Sequence, residues 1–299
     1  HAHLPGEPPR RIERFNDALM ADVPELRHEE VAFDGASPVE GGPPDRVQMW
    51  LLYPPGFDGR RKFPLLHVIH GGPHTAMGDS WHWRWNAPLF AHAGYVVALV
   101  NYHGSSGFGH AFKDSITHRW GALELQDIES ATDLLLARPW ADPRRVFATG
   151  GSYGGYLVAW MNGHLPAGRY AAYVCHAGCF DWRAMFSDDA WCWHAKELGA
   201  WYWDDPARVE AQSPVAHAHG FSTPTLVIHG ALDYRVPDAQ GLAYYNTLKA
   251  RDVAARLLWF PDENHWILKP RNSRQWYGEF LDWLSAHDRP ASRRRAAPQ

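Results

Sequence analysis

Cysteine is scarce. Three residues in 299, Cys175, Cys179 and Cys192, sit in one short stretch. An odd number of thiols gives no disulfide framework and excludes a disulfide-stapled miniprotein. Long apolar runs are missing too. Nowhere do about 18 apolar residues follow one another, so no transmembrane helix is expected. Neither charge dominates. The 29 basic and 33 acidic residues leave a formal net charge of −4, which argues against nucleic acid or an anionic membrane as a main partner. The chain has no internal repeat, no dinucleotide fingerprint and no Walker-type phosphate loop. Its first residues, His1 to Arg11, carry no apolar signal-peptide core. The compartment is left open, with the cytoplasm favoured.

What is present suits one large domain. Hydrophobic residues make up 45% and charged residues 21%, enough to bury a sizeable core and to exclude a disordered or collagenous chain. The 16 tryptophans and 19 histidines are unusual. Large aromatics need burial or a partner surface, so an aromatic-rich pocket or interface is expected. Cys175, His176, Cys179, Cys192 and His194 form a loosely zinc-like group. Cys175, however, ends an apolar strand, where cysteine serves as a small apolar residue. No metal and no organic cofactor is expected.

Strand-like and helix-like patterns alternate along the chain. Val47 to Tyr53, Pro64 to His70, Tyr95 to Val100, Arg145 to Gly150, Tyr170 to Cys175, Thr225 to His229 and Arg256 to Phe260 read as strands. Between them, Glu124 to Ala137 places Leu125, Ile128, Ala131, Leu134 and Leu135 on one helical face. Tyr156 to Met161, Asp238 to Ala250 and Ser273 to Ala286 are further helices. This alternation predicts an α/β class with a mostly parallel central sheet and helices on both faces. The domain reading is a lead-in over residues 1–44, a catalytic domain over 45–288 and a flexible tail over 289–299.

Active groups in such sheets gather at the carboxyl ends of the strands. After Arg145 to Gly150 stands Gly150-Gly151-Ser152-Tyr153-Gly154-Gly155, a G-x-S-x-G in strand–turn–helix context. A serine on so sharp a turn needs neighbours two residues away without side chains. Serine is a poor nucleophile unless a base takes its proton. Asp233 and His265 fall on the loops after Thr225 to His229 and Arg256 to Phe260, in the order serine, acid, histidine. His229 is the rival base, and Asp262 and Asp238 are fallback acids. The tetrahedral intermediate needs two N–H donors. Tyr153, next to the serine, supplies one. The loop His70-Gly71-Gly72-Pro73-His74 supplies the other, with Gly72 the first choice and Gly71 the second.

Together these residues resemble the catalytic domain of the prolyl oligopeptidase family of serine peptidases, in the branch holding acylaminoacyl peptidases and dipeptidyl peptidase 5. The blocks that carry the resemblance are His70 to His74, Asn101 to Gly109, Gly150 to Gly155, His229 to Pro237 and Phe260 to Trp266 with Leu268-Lys269-Pro270. The resemblance implies an α/β-hydrolase fold with Ser152 as nucleophile, Asp233 as acid and His265 as base, in agreement with the reading of the residues. Full members of the family carry a large N-terminal β-propeller, for which the stretch before residue 45 is far too short. The chain is therefore expected to be a catalytic domain alone, which puts exopeptidase specificity in doubt.

Tryptophans 81, 83 and 85, and the cluster Trp191, Trp193, Trp201, Tyr202 and Trp203, fit a substrate wall, a face for a missing domain, or ordinary core. Trp182, Trp201 and Trp203 are the candidate pocket residues. The expected function is a serine hydrolase cleaving peptide or acyl-peptide bonds through an acyl-enzyme. A carboxylesterase on short esters is the alternative, and a non-catalytic binding module with this fold is the alternative from another class. The expected partner is a peptide or small ester, with neither nucleic acid nor membrane, and self-association is open.

Overall fold

The apolar runs of the sequence become neighbouring strands. In a computed structural model, which describes residues 10–78, 80, 82 and 84–289, the strands are β1 (His28–Asp34), β2 (Arg46–Leu52), β3 (Phe63–Ile69), β4 (Val96–Asn101), β5 (Ala141–Gly151), β6 (Ala172–His176), β7 (Thr225–Gly230) and β8 (Ala255–Phe260). They form one sheet in the order β1-β2-β4-β3-β5-β6-β7-β8. The β1/β2 and β2/β4 pairs are antiparallel, and the pairs from β4 to β8 are parallel. This order, mostly parallel with an antiparallel edge and flanked by helices on both faces, agrees with the expected α/β-hydrolase fold.

The helices are α1 (Asp17–Met20), α2 (Ala87–His92), α3 (His110–Asp114), α4 (Ala122–Leu136), α5 (Tyr153–His164), α6 (His194–Leu198), α7 (Pro206–Ala211), α8 (Ala239–Ala250) and α9 (Pro270–His287). Phe90 of α2 and Trp276, Phe280 and Leu284 of α9 pack on one sheet face with Val68, Val97 and Ile228. Ile128 of α4, Leu157 of α5 and Leu248 of α8 pack on the other, with Leu65, Val96 and Val227.

Two expectations need correcting. The lead-in drawn over 1–44 contains β1, whose seven residues pair with β2, so the folded unit begins before residue 45. Val31 and Phe33 face the core on alternate positions, a pattern too short and polar to stand out in the sequence. The buried face of α4 differs from the predicted one in part. Ile128, Ala131 and Leu135 are buried and Leu125 packs on the core as expected, but Leu134 is exposed, and Glu124, Asp127 and Thr132 are buried as well. Each polar residue has a partner there: Tyr153 Oη donates to Glu124, His103 to Asp127, and Thr132 meets His67. The expected tail lies, from Pro290 on, outside the described residues. Among the described residues no helix is long and apolar enough to cross a membrane.

Register gathers the loops. Ile69 pairs with Gly150, Gly151 with His176, and Gly230 with Phe260. The segments that follow β3, β5, β7 and β8 therefore leave the sheet at one rim.

Candidate active site

Ser152 occupies the turn between β5 and α5, at φ 58° and ψ −121°. That conformation costs a non-glycine residue about 1–3 kcal/mol and persists only where its surroundings enforce it. The neighbours enforce it through lack of side chains. A Cβ on Gly150 would lie 2.2 Å from Gly154 O, and one on Gly154 would lie 2.2 Å from Ile69 O. A Cβ on Gly151 would strike the Trp85 ring at 2.5 Å.

The His70–His74 loop crosses in front of this turn. A Cβ on Gly71 would stand 2.9 Å from Gly151 O and 3.3 Å from Ser152 Cβ. Gly72 adopts φ 125°. Among the described residues, the N–H groups of Gly71, Gly72 and Tyr153 have no protein acceptor. His70 fixes the loop: its ring stacks on Tyr102 at 4.2 Å and its Nε2 meets Ser105 Oγ at 2.8 Å. Tyr102 Oη donates to His70 O, and Asn101 holds Met77 through both amide atoms. The block Asn101 to Gly109 thus buttresses the loop. Burial pushes the His70 ring down to about 4, so it stays neutral.

Asp233 and His265 meet. His265 Nδ1–H donates to Asp233 Oδ2 at 2.6 Å. Asp233 is buried, and its Oδ1 accepts the N–H groups of Arg235 and Val236 at 3.0 and 2.8 Å. Burial alone would raise its pKa. The hydrogen bonds of His229, His265 and Val236 outweigh it and hold the carboxyl well below the usual range. With Nδ1 committed to the carboxylate, Nε2 is the imidazole nitrogen left to take a proton. Glu263 shapes the same loop by accepting from Leu268 N, Lys269 N and Asn272 Nδ2.

His176, at the end of β6, links the two loops. Its carbonyl accepts Ser152 N–H at 3.0 Å, and its Nε2 meets His265 O at 3.2 Å. Trp276 Nε1–H donates to its Nδ1 at 3.2 Å, so the proton sits on Nε2. Burial pushes this ring down to about 3 and keeps it neutral. Sequence reasoning missed His176 as a site residue. Its position at the carboxyl end of a core strand was the signal.

Ser152 and His265 line one cavity of about 790 Å³, with Gly71, Gly72, His176 and Gly151. The hydrogen bonds of the described residues include none from Ser152 Oγ. Contacts of this kind often tighten only when substrate is bound. Further walls are Trp50, Leu52, Met77, Trp85, Leu99 and Trp266, so the cavity is largely apolar. The candidate pocket residues are elsewhere. Trp182 is core, edge-on to Trp120 at 4.9 Å with its Nε1–H on Gln212 O. Trp201 and Trp203 stack on each other at 5.1 Å. None of the three lines the cavity: Trp201 and Trp203 pack on Phe186, and Trp182 packs among Trp120, Tyr156 and Trp193. Trp81 and Trp83 lie outside the described residues.

The remaining candidates are also accounted for. His229 is fully buried, with Nε2 on Val236 O at 2.8 Å, and does not line the cavity. Asp262 pairs with Lys269, and Asp238 accepts from Trp259 Nε1. Cys175 and Cys179 are buried and Cys192 is exposed.

Residues 81–289 match the model of the prolyl oligopeptidase family. A probable dipeptidyl-peptidase 5 of Aspergillus terreus is 40% identical over 246 residues, which cover 81% of this chain and 34% of that protein. The dipeptidyl-peptidase 5 of Schizosaccharomyces pombe is 35% identical over 91% of this chain and 40% of its own length. Among solved structures, an acylaminoacyl peptidase of Pyrococcus horikoshii superposes with a TM-score of 0.84 at 24% identity, over 95% of this chain and 45% of that one. The chain thus spans less than half the length of each of these relatives.

Proposed function

Since the chain belongs to the prolyl oligopeptidase family, we propose that it is a serine hydrolase that cleaves peptide or acyl-peptide bonds through an acyl-enzyme on Ser152. The dipeptidyl-peptidase name of its relatives puts short peptides first among its substrates. His265 Nε2 takes the Ser152 proton as Oγ attacks the carbonyl, then gives it to the departing amine. Asp233 holds the imidazole tautomer and balances the charge that forms. The N–H groups of Tyr153 and Gly72, with Gly71 beside them, receive the oxyanion. Water then attacks the ester by the same route in reverse and frees Ser152. The catalytic unit runs from β1 to α9.

The observation that carries this reading is that His265, held by Asp233, lines the same cavity as a serine on a strained glycine-flanked turn. The apolar walls Trp50, Leu52 and Leu99 favour a second reading, a carboxylesterase taking apolar acyl groups. Specificity constants for an aminoacyl anilide and a short p-nitrophenyl ester separate the two. Comparable values support the peptidase, and an ester advantage of several orders of magnitude sinks it. Failure of a fluorophosphonate to label the folded protein would leave the non-catalytic module.

A further inference from the structure

The described lining of the cavity at Ser152 is one-sided in charge. It contains no aspartate and no glutamate, but it contains two arginines, Arg84 and Arg235. Arg235 is already neutralised, with its Nε 3.0 Å from Asp189 Oδ1. Arg84 is not. Among the described residues no carboxylate stands within ion-pair distance of it, and none of its guanidinium N–H groups meets an acceptor. Its Nε is buried and unsatisfied.

The main chain and a stacking contact hold Arg84 in place. Its N–H donates to His82 Nδ1 at 3.1 Å, and its carbonyl accepts Tyr277 Oη–H. The guanidinium lies over Trp266, with its central carbon 3.5 Å from the ring centroid. Contact through the flat face leaves the donors along the edge unused. Burial pushes the group down to about 10, so it remains a cation at neutral pH. A half-buried cation without acceptors is costly, and a planar carboxylate can satisfy two of its donors at once.

The position gives the direction. Trp266 directly follows His265, the group that hands a proton to the leaving amine under the reading above, on which this inference rests. We propose that Arg84 is a carboxylate-binding subsite on the leaving-group side, which selects substrates whose departing fragment carries a carboxylate close to the cleaved bond. Two sources offer that chemistry, the free C-terminus of a short peptide and an acidic side chain. A free substrate N-terminus, by contrast, meets no carboxylate in the described lining.

The test compares matched peptides. The set is an acetylated tripeptide as its acid, the same peptide as its amide, and an amide with aspartate in the leaving residue. Succinyl and acetyl dipeptide anilides place or omit a carboxylate on the acyl side. The acid is expected to exceed the amide about tenfold in kcat/KM, the size of one charge-assisted hydrogen bond. The aspartate peptide shows whether a side chain serves as well. The succinyl anilide gains nothing over the acetyl one. The acid preference shrinks in high salt, disappears in Arg84→Met, and survives in part in Arg84→Lys, while the amide changes less than threefold. Equal rates for acid and amide in the wild type overturn the proposal, as does a preference that persists in Arg84→Met. It also falls if Arg84→Met loses both peptides equally, since Arg84 would then only prop the Trp266 loop, or if the gain appears on the acyl side. Affinities of the same acid and amide for Ser152→Ala decide the question without turnover. Fluorophosphonate labelling of the wild type separately reports whether the hydrolase reading stands.

Discussion

Asp233 Oδ2 and His265 Nδ1 stand 2.6 Å apart, with the carboxylate only 3% exposed. The carboxyl pKa is depressed, so its ionised form stabilises the fold above the ordinary carboxylate range and that contribution is lost only as pH falls through the lowered value. The acid limb of a pH–rate profile is therefore not expected to report Asp233. Asp233→Asn keeps the shape but releases the tautomer. Its kcat should fall by about 10⁴, the size of the same change in the chymotrypsin-type triad, with an unchanged circular dichroism spectrum. A loss below tenfold would remove Asp233 from the mechanism.

His176 ties the Ser152 turn to the His265 loop through one ring and one carbonyl. His176→Phe keeps a flat aromatic ring, somewhat larger, and removes the ring hydrogen bonds. A displacement of about 1 Å in the base can cost roughly 10² in rate. We expect kcat to fall about 10- to 100-fold with KM nearly constant, and His176→Gln to recover part of the loss. Because this ring stays neutral, the pH profile keeps its shape. A shifted profile or a KM effect alone would show that His176 does something else.

Gly154 leaves no room for a methyl group, with Ile69 O and His70 O at 2.2 and 2.9 Å from a built Cβ. Gly154→Ala must push α5 away from β3 and move Ser152. A loss of about 1–3 kcal/mol in urea unfolding is expected from overpacking, together with loss of fluorophosphonate labelling. Gly278→Ala, where a Cβ meets nothing within 4 Å, is the control and should be neutral or slightly stabilising.

Glu124 is fully buried under the Tyr153 hydroxyl, and burial raises its carboxyl to about 7. The native state therefore binds a proton that the unfolded chain has released above its ordinary value of 4.5. For this group stability is full below pH 4.5 and declines as pH rises towards 7 and beyond. Glu124→Gln removes the titration. Relative to wild type, its melting temperature should improve between pH 5 and 8, by a linkage term on the order of 3 kcal/mol. A constant difference across that range would contradict the burial argument.

Much of this was legible in the sequence, for physical reasons that differ between elements. The core strands β3 to β7 announce themselves because strands buried on both faces must be apolar throughout. Ser152, Gly150 and Gly154 are visible because the turn forbids side chains locally, and Asp233 and His265 because each follows such a strand. The polar part of the buried α4 face was missed because Glu124, Asp127 and Thr132 are buried with partners up to 91 residues away in the chain. Residue type alone cannot signal that pairing. The pocket aromatics were misassigned for a related reason. Trp182, Trp201 and Trp203 looked like a wall because they cluster in sequence, whereas the actual wall draws Trp50, Trp85 and Trp266 from distant segments. His176 and Arg84 were missed because their roles exist only once β6, the segment before α2 and the loop after β8 are assembled.

The central claim is that Ser152 is a nucleophile activated by His265. The most direct measurement is intact mass after incubation with a fluorophosphonate, on wild type, Ser152→Ala and His265→Gln. One adduct on the wild type, none on Ser152→Ala and a rate at least 10²-fold lower on His265→Gln are expected. Equal labelling of wild type and Ser152→Ala, or labelling of His265→Gln at the wild-type rate, would contradict it.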